Sequence, residues 1–249
     1  MRLQLVSEDD ELWMTCATVQ GLFAPRKDNP EWRRLTLEEG RPAGIVAEYC
    51  SRQAQNELQL NNAELRLLGS SNEVIGSYFV STPVITGRTS SESGLISITG
   101  DFLLWDPPPV DAAQIWDQWH TAFPDRPNLW TTLNAAGRHA WLHVTRNHSR
   151  WDKRRLDLNS AAQDRVYEID GSLIVDETSF YIALGEALIG PGGYFGAGLD
   201  GLNDCLNDYF SMAPALNITL LNSTNITTLP AVSRILDFLH KKRVNVRVA

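Results

Sequence analysis

The segment GPGGYFGAGLDGLNDCLNDYF, residues 190–210, has the clearest periodic pattern of apolar and polar positions in the chain. On a helix at about 100° per residue, one face of its second half is apolar and the opposite face carries carboxylates. The predicted apolar face consists of Leu199, Leu202, Leu206 and Tyr209. The predicted acidic face consists of Asp200, Asp204 and Asp208. We therefore expect a glycine-rich loop that leads into an amphipathic, acidic helix.

Strand-like and helix-like patterns alternate around this segment. Asp176 is a candidate N-cap for a helix that runs to about Ile189, and Pro230 fits the first turn of a last helix. Strands separated by helices are typical of a small, mostly parallel sheet covered by helices. Residues 165–249 are therefore predicted to form an α/β domain. Its strands are predicted at residues 165–169, 216–221 and 244–248.

Strand patterns dominate the first 150 residues. Ala63–Leu68 and Val74–Val80 are predicted to form a hairpin, and a helix is predicted from Asp111 to about Phe123. Alternating apolar residues predict one more half-buried strand at residues 139–144. Its apolar positions are Ala140, Leu142 and Val144, separated by His139, Trp141 and His143.

A change in composition separates the two halves of the chain. All eight tryptophans lie between Trp13 and Trp151, and a basic, polar stretch follows them. Such a stretch is typical of an exposed connection between domains. We expect a β-rich α+β domain of unknown role at residues 1–150, a linker at 151–164 and the α/β domain at 165–249.

Charge is distributed unevenly along the chain, whose formal net charge is -8. No Lys, Arg or His lies between Arg165 and Arg234, whereas eight acidic residues do. Charge this one-sided attracts basic partners and repels nucleic acid. We therefore expect a cationic protein partner and no direct contact with nucleic acid. The eight residues are Glu168, Asp170, Asp176, Glu177, Glu186, Asp200, Asp204 and Asp208.

Length and composition indicate a globular protein without a membrane segment. With 249 residues and 43% hydrophobic content, the chain can form one large domain or two ordinary ones. Its start, MRLQLVSEDDELW, has no apolar run behind a basic end, so we expect neither a signal peptide nor a membrane span, and a cytoplasmic location. Cys16, Cys50 and Cys205 are widely spaced, which favours reduced thiols over disulfides or a zinc site.

No arrangement of residues predicts catalysis or a cofactor. His139, His143 and His148 lack a carboxylate or cysteine at a recognisable ligand spacing, and no G-x-S-x-G motif is present. Three carboxylates on one exposed helix rarely form an enclosed magnesium site. The glycine-rich loop lacks the Lys-Ser/Thr pair of a phosphate-binding loop and adjoins an acidic helix. We therefore expect no enzyme activity, no metal and no cofactor.

The loop and the acidic helix carry a specific motif. Tyr194-Phe195-Gly196, Leu199-Asp200 and the run from Leu202 to Leu206 match the pattern Y-[YF]-G-x-x-L-D-x-L-x-D-C-L in register. This pattern resembles the barstar family, whose members inhibit the ribonuclease barnase inside the cell. The resemblance extends over Tyr167–Val248, is closest to actinobacterial members, and leaves the first 150 residues outside it.

The resemblance implies an inhibitory mechanism, because in the family this loop and helix plug the ribonuclease active site. Asp204 would occupy the phosphate-binding centre and pair with the enzyme's catalytic Arg, Lys and His, with Asp200 beside it. Tyr194 would pack on the catalytic histidine, and Gly196 would let the backbone approach the enzyme closely. The other members of this implied contact face are Leu199 and Asn203.

Three features depart from the family pattern. Asn203 stands where barstar has a tryptophan, and His240-Lys241-Lys242 stands in the last helix where barstar supplies another enzyme-contacting acid. Basic residues there would repel a barnase-like surface, which favours a different target nuclease or a contact made elsewhere, with Asp208 as the candidate. Ala197 and Gly198 replace polar residues of the loop, which predicts a looser loop.

Two interpretations of function follow. The leading one is an inhibitor of a ribonuclease, acting as a bacterial antitoxin or immunity protein. The alternative is a barstar-like immunity or adaptor protein that binds a toxin other than a ribonuclease, mainly through the N-terminal domain. Both predict a protein partner, no membrane and no bond-breaking chemistry. We also expect a fragment from about residue 161 to fold alone.

Overall fold

The structure, a computed structural model, divides into two compact units, Met1–Ala122 and Phe123–Ala249. The division falls earlier in the chain than the boundary predicted at residue 150. Positions 155–164 of the predicted linker lie outside the described residues. The limits of the domains as independently folding parts stay a prediction. The described residues are 1–52, 56–154, 165–211, 215–224, 226 and 229–249.

The first unit, called here the barrel unit, is built on antiparallel strands. Within its described residues the order is β2-β1-β6-β7-β8-β4-β3, and β5 pairs with β7. Since β2 also pairs with β4, the sheet closes into a barrel. The strands are β1 (Leu3–Ser7), β2 (Leu12–Cys16), β3 (Thr18–Gln20), β4 (Trp32–Pro42), β5 (Leu58–Gln59), β6 (Ala63–Leu68), β7 (Val74–Ser90) and β8 (Ile96–Leu104).

Buried and exposed side chains alternate along the strands of the barrel. Every second residue of a strand faces the same side of the sheet, so one set of side chains fills the core. The predicted hairpin is confirmed: β6 pairs with the first part of β7, with Ala63 opposite Val80. Two helices accompany the strands, α1 (Gly44–Ser51) and α2 (Ala112–Thr121). The β-rich character predicted for this half is therefore correct. Fully buried core residues of the barrel include Leu3, Leu5, Leu35, Leu37, Leu65, Leu67, Val80 and Ile85.

The second unit, called here the C-terminal unit, contains a three-stranded parallel sheet in the order β11-β10-β9 among its described residues. Tyr167, Ile169, Ile218 and Leu220 point to the buried side of this sheet. The predicted α/β domain with a small parallel sheet is confirmed. Its elements are α3 (Ala135–His148), β9 (Val166–Asp170), α4 (Glu177–Ile189), α5 (Leu199–Phe210), β10 (Asn217–Leu221), α6 (Pro230–Lys241) and β11 (Asn245–Val248).

The strand predicted at residues 139–144 is wrong, because this stretch lies inside α3. Its apolar positions fit both periods: the buried residues Gly137, Ala140, Trp141 and Val144 also follow the i, i+3, i+4, i+7 spacing of a helix. The N-cap decides between the strand period and the helix period, in favour of the helix. The side chain of Asn134 accepts a hydrogen bond from the backbone N–H of Gly137 at 2.9 Å. His139, predicted on a strand face with His143, is exposed, whereas His143 is buried.

Helix α4 begins as its sequence predicts, at the N-cap Asp176. The Asp176 carboxylate accepts a hydrogen bond from the backbone N–H of Ser179 at 2.7 Å, and the Ser179 hydroxyl accepts one from the Asp176 backbone. Arg138 of α3 donates to the same carboxylate at 3.1 Å. Burial acts to raise the pKa of Asp176, but the hydrogen bonds from Arg138 and Ser179 outweigh it and lower that pKa. The cap therefore also ties α3 to α4.

None of the helices in the described ranges is both long and apolar enough to cross a membrane.

A fragment that starts at Phe123 should be more stable than the one predicted to start at residue 161. The shorter fragment lacks α3 and Trp130, whose buried side chains cover part of the C-terminal unit. Losing a large buried aromatic or aliphatic side chain costs about 1.5–3 kcal/mol each. Urea unfolding of the two fragments, followed by far-ultraviolet circular dichroism, should give a clearly higher midpoint for Phe123–Ala249. Equal midpoints would show that residues 123–160 contribute nothing to the stability of the unit.

Candidate protein-binding surface

The glycine loop, residues 190–198, begins where glycine ends α4. Gly190 and Gly192 have φ values of 108° and 68°, in the region that residues with a Cβ rarely adopt. The backbone N–H of Gly193 donates to the carbonyl oxygen of Gly190 at 2.9 Å. This tight turn reverses the chain directly after the helix.

Backbone packs on backbone where the loop passes α4. A Cβ atom at Gly185 would lie 2.3 Å from the carbonyl oxygen of Gly193, and one at Gly193 would lie 2.7 Å from the carbonyl oxygen of Gly185. No side chain fits between the two segments. Phe195, which is 2% exposed, anchors the far end of the loop by an edge-on contact with Tyr209 of α5 at a ring-centroid distance of 6.3 Å.

The fold of the chain itself requires a glycine at position 196. Its φ is 102°, and a Cβ atom there would lie 2.8 Å from both the backbone nitrogen and the Cα of Leu202 in α5. The resemblance implied a close approach of this backbone to a partner. That approach to a partner stays a prediction; in the structure the Gly196 backbone lies close to the first turns of α5, and Gly196 is buried.

Glu186 of α4 is a buried carboxylate that connects three segments. It accepts hydrogen bonds from the backbone N–H of Gly192 in the loop at 3.2 Å, from the backbone N–H of Asn128 at 2.8 Å and from the indole N–H of Trp130 at 3.0 Å. Burial raises the pKa of Glu186, and these three donors and the Arg154 charge counter it in part. The charge pattern of the sequence places Glu186 simply among the eight acidic residues between Arg165 and Arg234.

A sequence signal for this internal role was present. Glu186 is the only charged residue in Ser179–Ile189, where every other position is apolar, small or aromatic. A charge inside such a helix is buried and therefore needs partners. The partners Asn128 and Trp130, by contrast, are far away in sequence and carry no motif.

Helix α5 presents its aspartates to solvent. Asp200, Asp204 and Asp208 are exposed, and in the described part of the chain no cationic group lies within ion-pair distance of them. They lie on successive turns, so Asp200 and Asp208 are about 12 Å apart along the axis. The buried face is formed by Leu202, Cys205, Leu206 and Tyr209.

Leu199 departs from the predicted apolar face, because it is 39% exposed. It stands at the first position of α5, before the helix turns its apolar side toward the core. Asn203 is half-buried. Tyr194 is also half-buried, with its hydroxyl 3.2 Å from the position that a Cβ of Gly201 would occupy, so its ring lies over the first turn of α5. An exposed leucine, a tyrosine and two aspartates thus gather at the start of α5.

The other acidic residues of the region have different tasks. Asp170 accepts hydrogen bonds from Ser172 and Asn222, Asp176 caps α4, and Glu186 holds the loop. Glu168 and Glu177 are exposed on other elements, β9 and α4. Of the eight acidic residues, the fold therefore leaves three, the aspartates of α5, exposed together on one helix.

The last helix ends in basic residues as its sequence shows. His240 and Lys241 are exposed in the last turn of α6, and the Lys242 ammonium lies 5.5 Å from the ring centroid of Phe238.

Comparison with known proteins gives one result for this region. Residues 165–242 match the family model described as Barstar (barnase inhibitor). The C-terminal part of the chain is a barstar domain. Its match begins at the residue before β9 and ends after α6, so it contains the glycine loop and α5 but not α3 or Trp130. No curated protein and no solved structure matches the chain.

The described residues contain no group of three or more His, Cys, Asp or Glu side chains placed to hold a metal ion. Cys16 and Cys205 are buried and Cys50 is half-buried.

Replacing Gly196 by alanine should disrupt the join between the glycine loop and α5. The positive φ and the contact with Leu202 add strain and overpacking, and we expect a loss of about 2–4 kcal/mol in the free energy of unfolding. Gly198→Ala is the matched control, since φ is 167° there and no atom lies within 4 Å of an added Cβ. That control should cost less than about 1 kcal/mol. Similar losses in urea unfolding of the two variants would contradict this account of Gly196.

Proposed function

We propose that the chain is a protein inhibitor of a ribonuclease, an intracellular bacterial antitoxin or immunity protein whose acidic helix α5 blocks the enzyme's phosphate-binding cleft. The observation that supports this most is the row of exposed aspartates on α5, presented by a barstar domain, with no cationic group of the described residues within ion-pair distance. Exposed carboxylates that form no ion pair with the described part of their own chain are available to the cations that bind RNA phosphates in a nuclease.

Asp204 is the proposed centre of the contact. It lies in the middle of α5, where helix geometry holds it in one position relative to Asp200. A carboxylate whose backbone is already fixed in a helix loses less conformational freedom on binding than one on an unordered segment, and it forms charge-assisted hydrogen bonds with guanidinium or ammonium groups. A ribonuclease cleft supplies such groups. The inhibitor would then replace the substrate's charge without offering a bond to cleave.

The surroundings of Asp204 fit a protein partner. Tyr194 and Leu199 would give apolar and aromatic contact beside the charges, and Asn203 would supply hydrogen bonds. Interfaces commonly combine such an aromatic centre with polar groups around it. Gly196 would contribute indirectly, by holding the loop against α5.

The basic end of α6 argues for a target whose surface differs from that of barnase. His240 and Lys241 would repel cations of an enzyme placed against them. Asp208, one turn beyond Asp204, is the proposed replacement for an acidic contact from the last helix.

Removing the charge of Asp204 should weaken inhibition of the ribonuclease. The immobilised full chain is incubated with extract of the source cell, and the bound fraction is assayed for RNA cleavage after release by high salt. Asp204→Asn removes a charge-assisted hydrogen bond at unchanged size, so we expect about ten- to hundredfold weaker inhibition of the released enzyme. Glu168→Gln, an exposed change of the same kind on β9, should inhibit like the wild type.

Two results would contradict the proposal. The first is a bound fraction without ribonuclease activity. The second is unchanged inhibition by Asp204→Asn, which would move recognition away from α5, toward the barrel unit.

Salt should slow the association of the two proteins. The acidic surface steers a basic enzyme through long-range attraction, which mobile ions screen. We expect the association rate measured by stopped flow to fall about tenfold or more between about 0.01 and 0.3 M ionic strength. The dissociation rate should change much less. An association rate independent of salt would exclude electrostatic steering by α5.

A further inference from the structure

The glycine loop is held from outside the barstar domain. Glu186 receives the Gly192 N–H from the loop on one oxygen and the Asn128 N–H and Trp130 indole N–H on the other. Asn128 and Trp130 precede the matched residues 165–242. The carboxylate is therefore shared between the loop and a segment that the family domain does not include.

A second contact comes from the same segment. The guanidinium of Arg154 donates to the carbonyl oxygen of Pro191 at 2.9 Å, in the middle of the turn that starts the loop. Arg154 is itself fixed, because Asp152 accepts two of its N–H groups at 2.9 and 2.7 Å and the ring of Phe123 lies 4.8 Å from its guanidinium carbon. A cation held in this way cannot swing out of the contact without breaking several bonds.

We propose that residues 123–154 position the binding surface. Through Glu186 and Arg154 they hold the glycine loop in the conformation that places Tyr194 at the start of α5. This inference rests on the proposed function, since it assigns positioning residues for the same site. The positioning residues are Asn128, Trp130, Arg154 and Glu186.

The loop needs such support for a physical reason. Its glycines lose more conformational freedom on ordering than other residues do. If the loop adopted its binding conformation only part of the time, the apparent affinity would fall by that fraction. The hydrogen bonds to Gly192 and Pro191 lie at the start of the loop, where they fix its direction.

Two substitutions test the positioning in the full chain. Glu186→Gln keeps one oxygen for Asn128 and Trp130 but turns an NH₂ group toward the Gly192 N–H. Trp130→Phe removes the indole donor and keeps an aromatic ring in the buried site. The matched controls are Glu177→Gln, at an exposed position of the same helix, and Trp116→Phe, which removes an indole donor bonded to Tyr78 in the barrel unit.

Hydrogen exchange of the free protein is the first measurement. We expect the amides of residues 190–198 to exchange about tenfold faster in Glu186→Gln and in Trp130→Phe, as expected for the loss of a buried hydrogen bond. Amides in the middle of α4 should keep their wild-type rates in both variants, and both controls should match the wild type throughout the loop. A merely structural role would instead accelerate α4 and the loop together.

Inhibition of the captured ribonuclease is the second measurement. A loop that is less often in its binding conformation should weaken inhibition about tenfold, mainly through a slower association rate. Unchanged loop exchange, equal acceleration of α4 and loop, or faster loop exchange with unchanged inhibition would each overturn the inference. The exchange measurement needs no partner, so it decides the loop-holding contacts even where capture finds no ribonuclease and the proposed function itself fails.

Discussion

The buried carboxylate of Glu186 is the constraint on which the arrangement of the candidate site depends. An ionised carboxylate away from water is costly unless hydrogen bonds replace its hydration. Three N–H groups do so here, and they come from the loop, from Asn128 and from Trp130. Satisfying one buried charge therefore requires the end of α4, the turn that starts the loop and the short helical turn Leu129–Thr132 to be in place together.

This constraint separates the acidic residues by function. Carboxylates that meet donors of their own chain, such as Asp176 and Glu186, connect elements of the fold, and their hydrogen bonds are already used. Carboxylates on the outer face of α5 meet no such donors in the described residues. Asp200 gains from the positive end of the helix, whereas Asp208 in the last turn gains nothing from it. The negative charge near Asp208 thus carries a cost in the isolated protein that a cationic partner would relieve.

The sequence predicted those parts of the molecule whose signals are local. The N-cap at Asp176, the proline that starts α6 and the alternation of strands and helices led to the correct α/β fold. The strand predicted around Ala140 failed because its apolar residues fit both periods, and the deciding hydrogen bond of Asn134 comes from outside the window. Leu199 was placed on the buried face since helical phase alone does not show where a helix end leaves the core.

The residues of the candidate site also divide into those that the local sequence predicts and those that it does not. Its acidic face and the loop before it are contiguous in sequence, so pattern and motif located Asp200 and Asp204 together. The contacts that hold the loop join residues 56 and 58 positions apart, from Trp130 to Glu186 and from Asn128 to Glu186, and no spacing rule connects them. Asn128, Trp130 and Arg154 all precede residues 165–242, so a motif confined to the matched residues cannot predict these contacts.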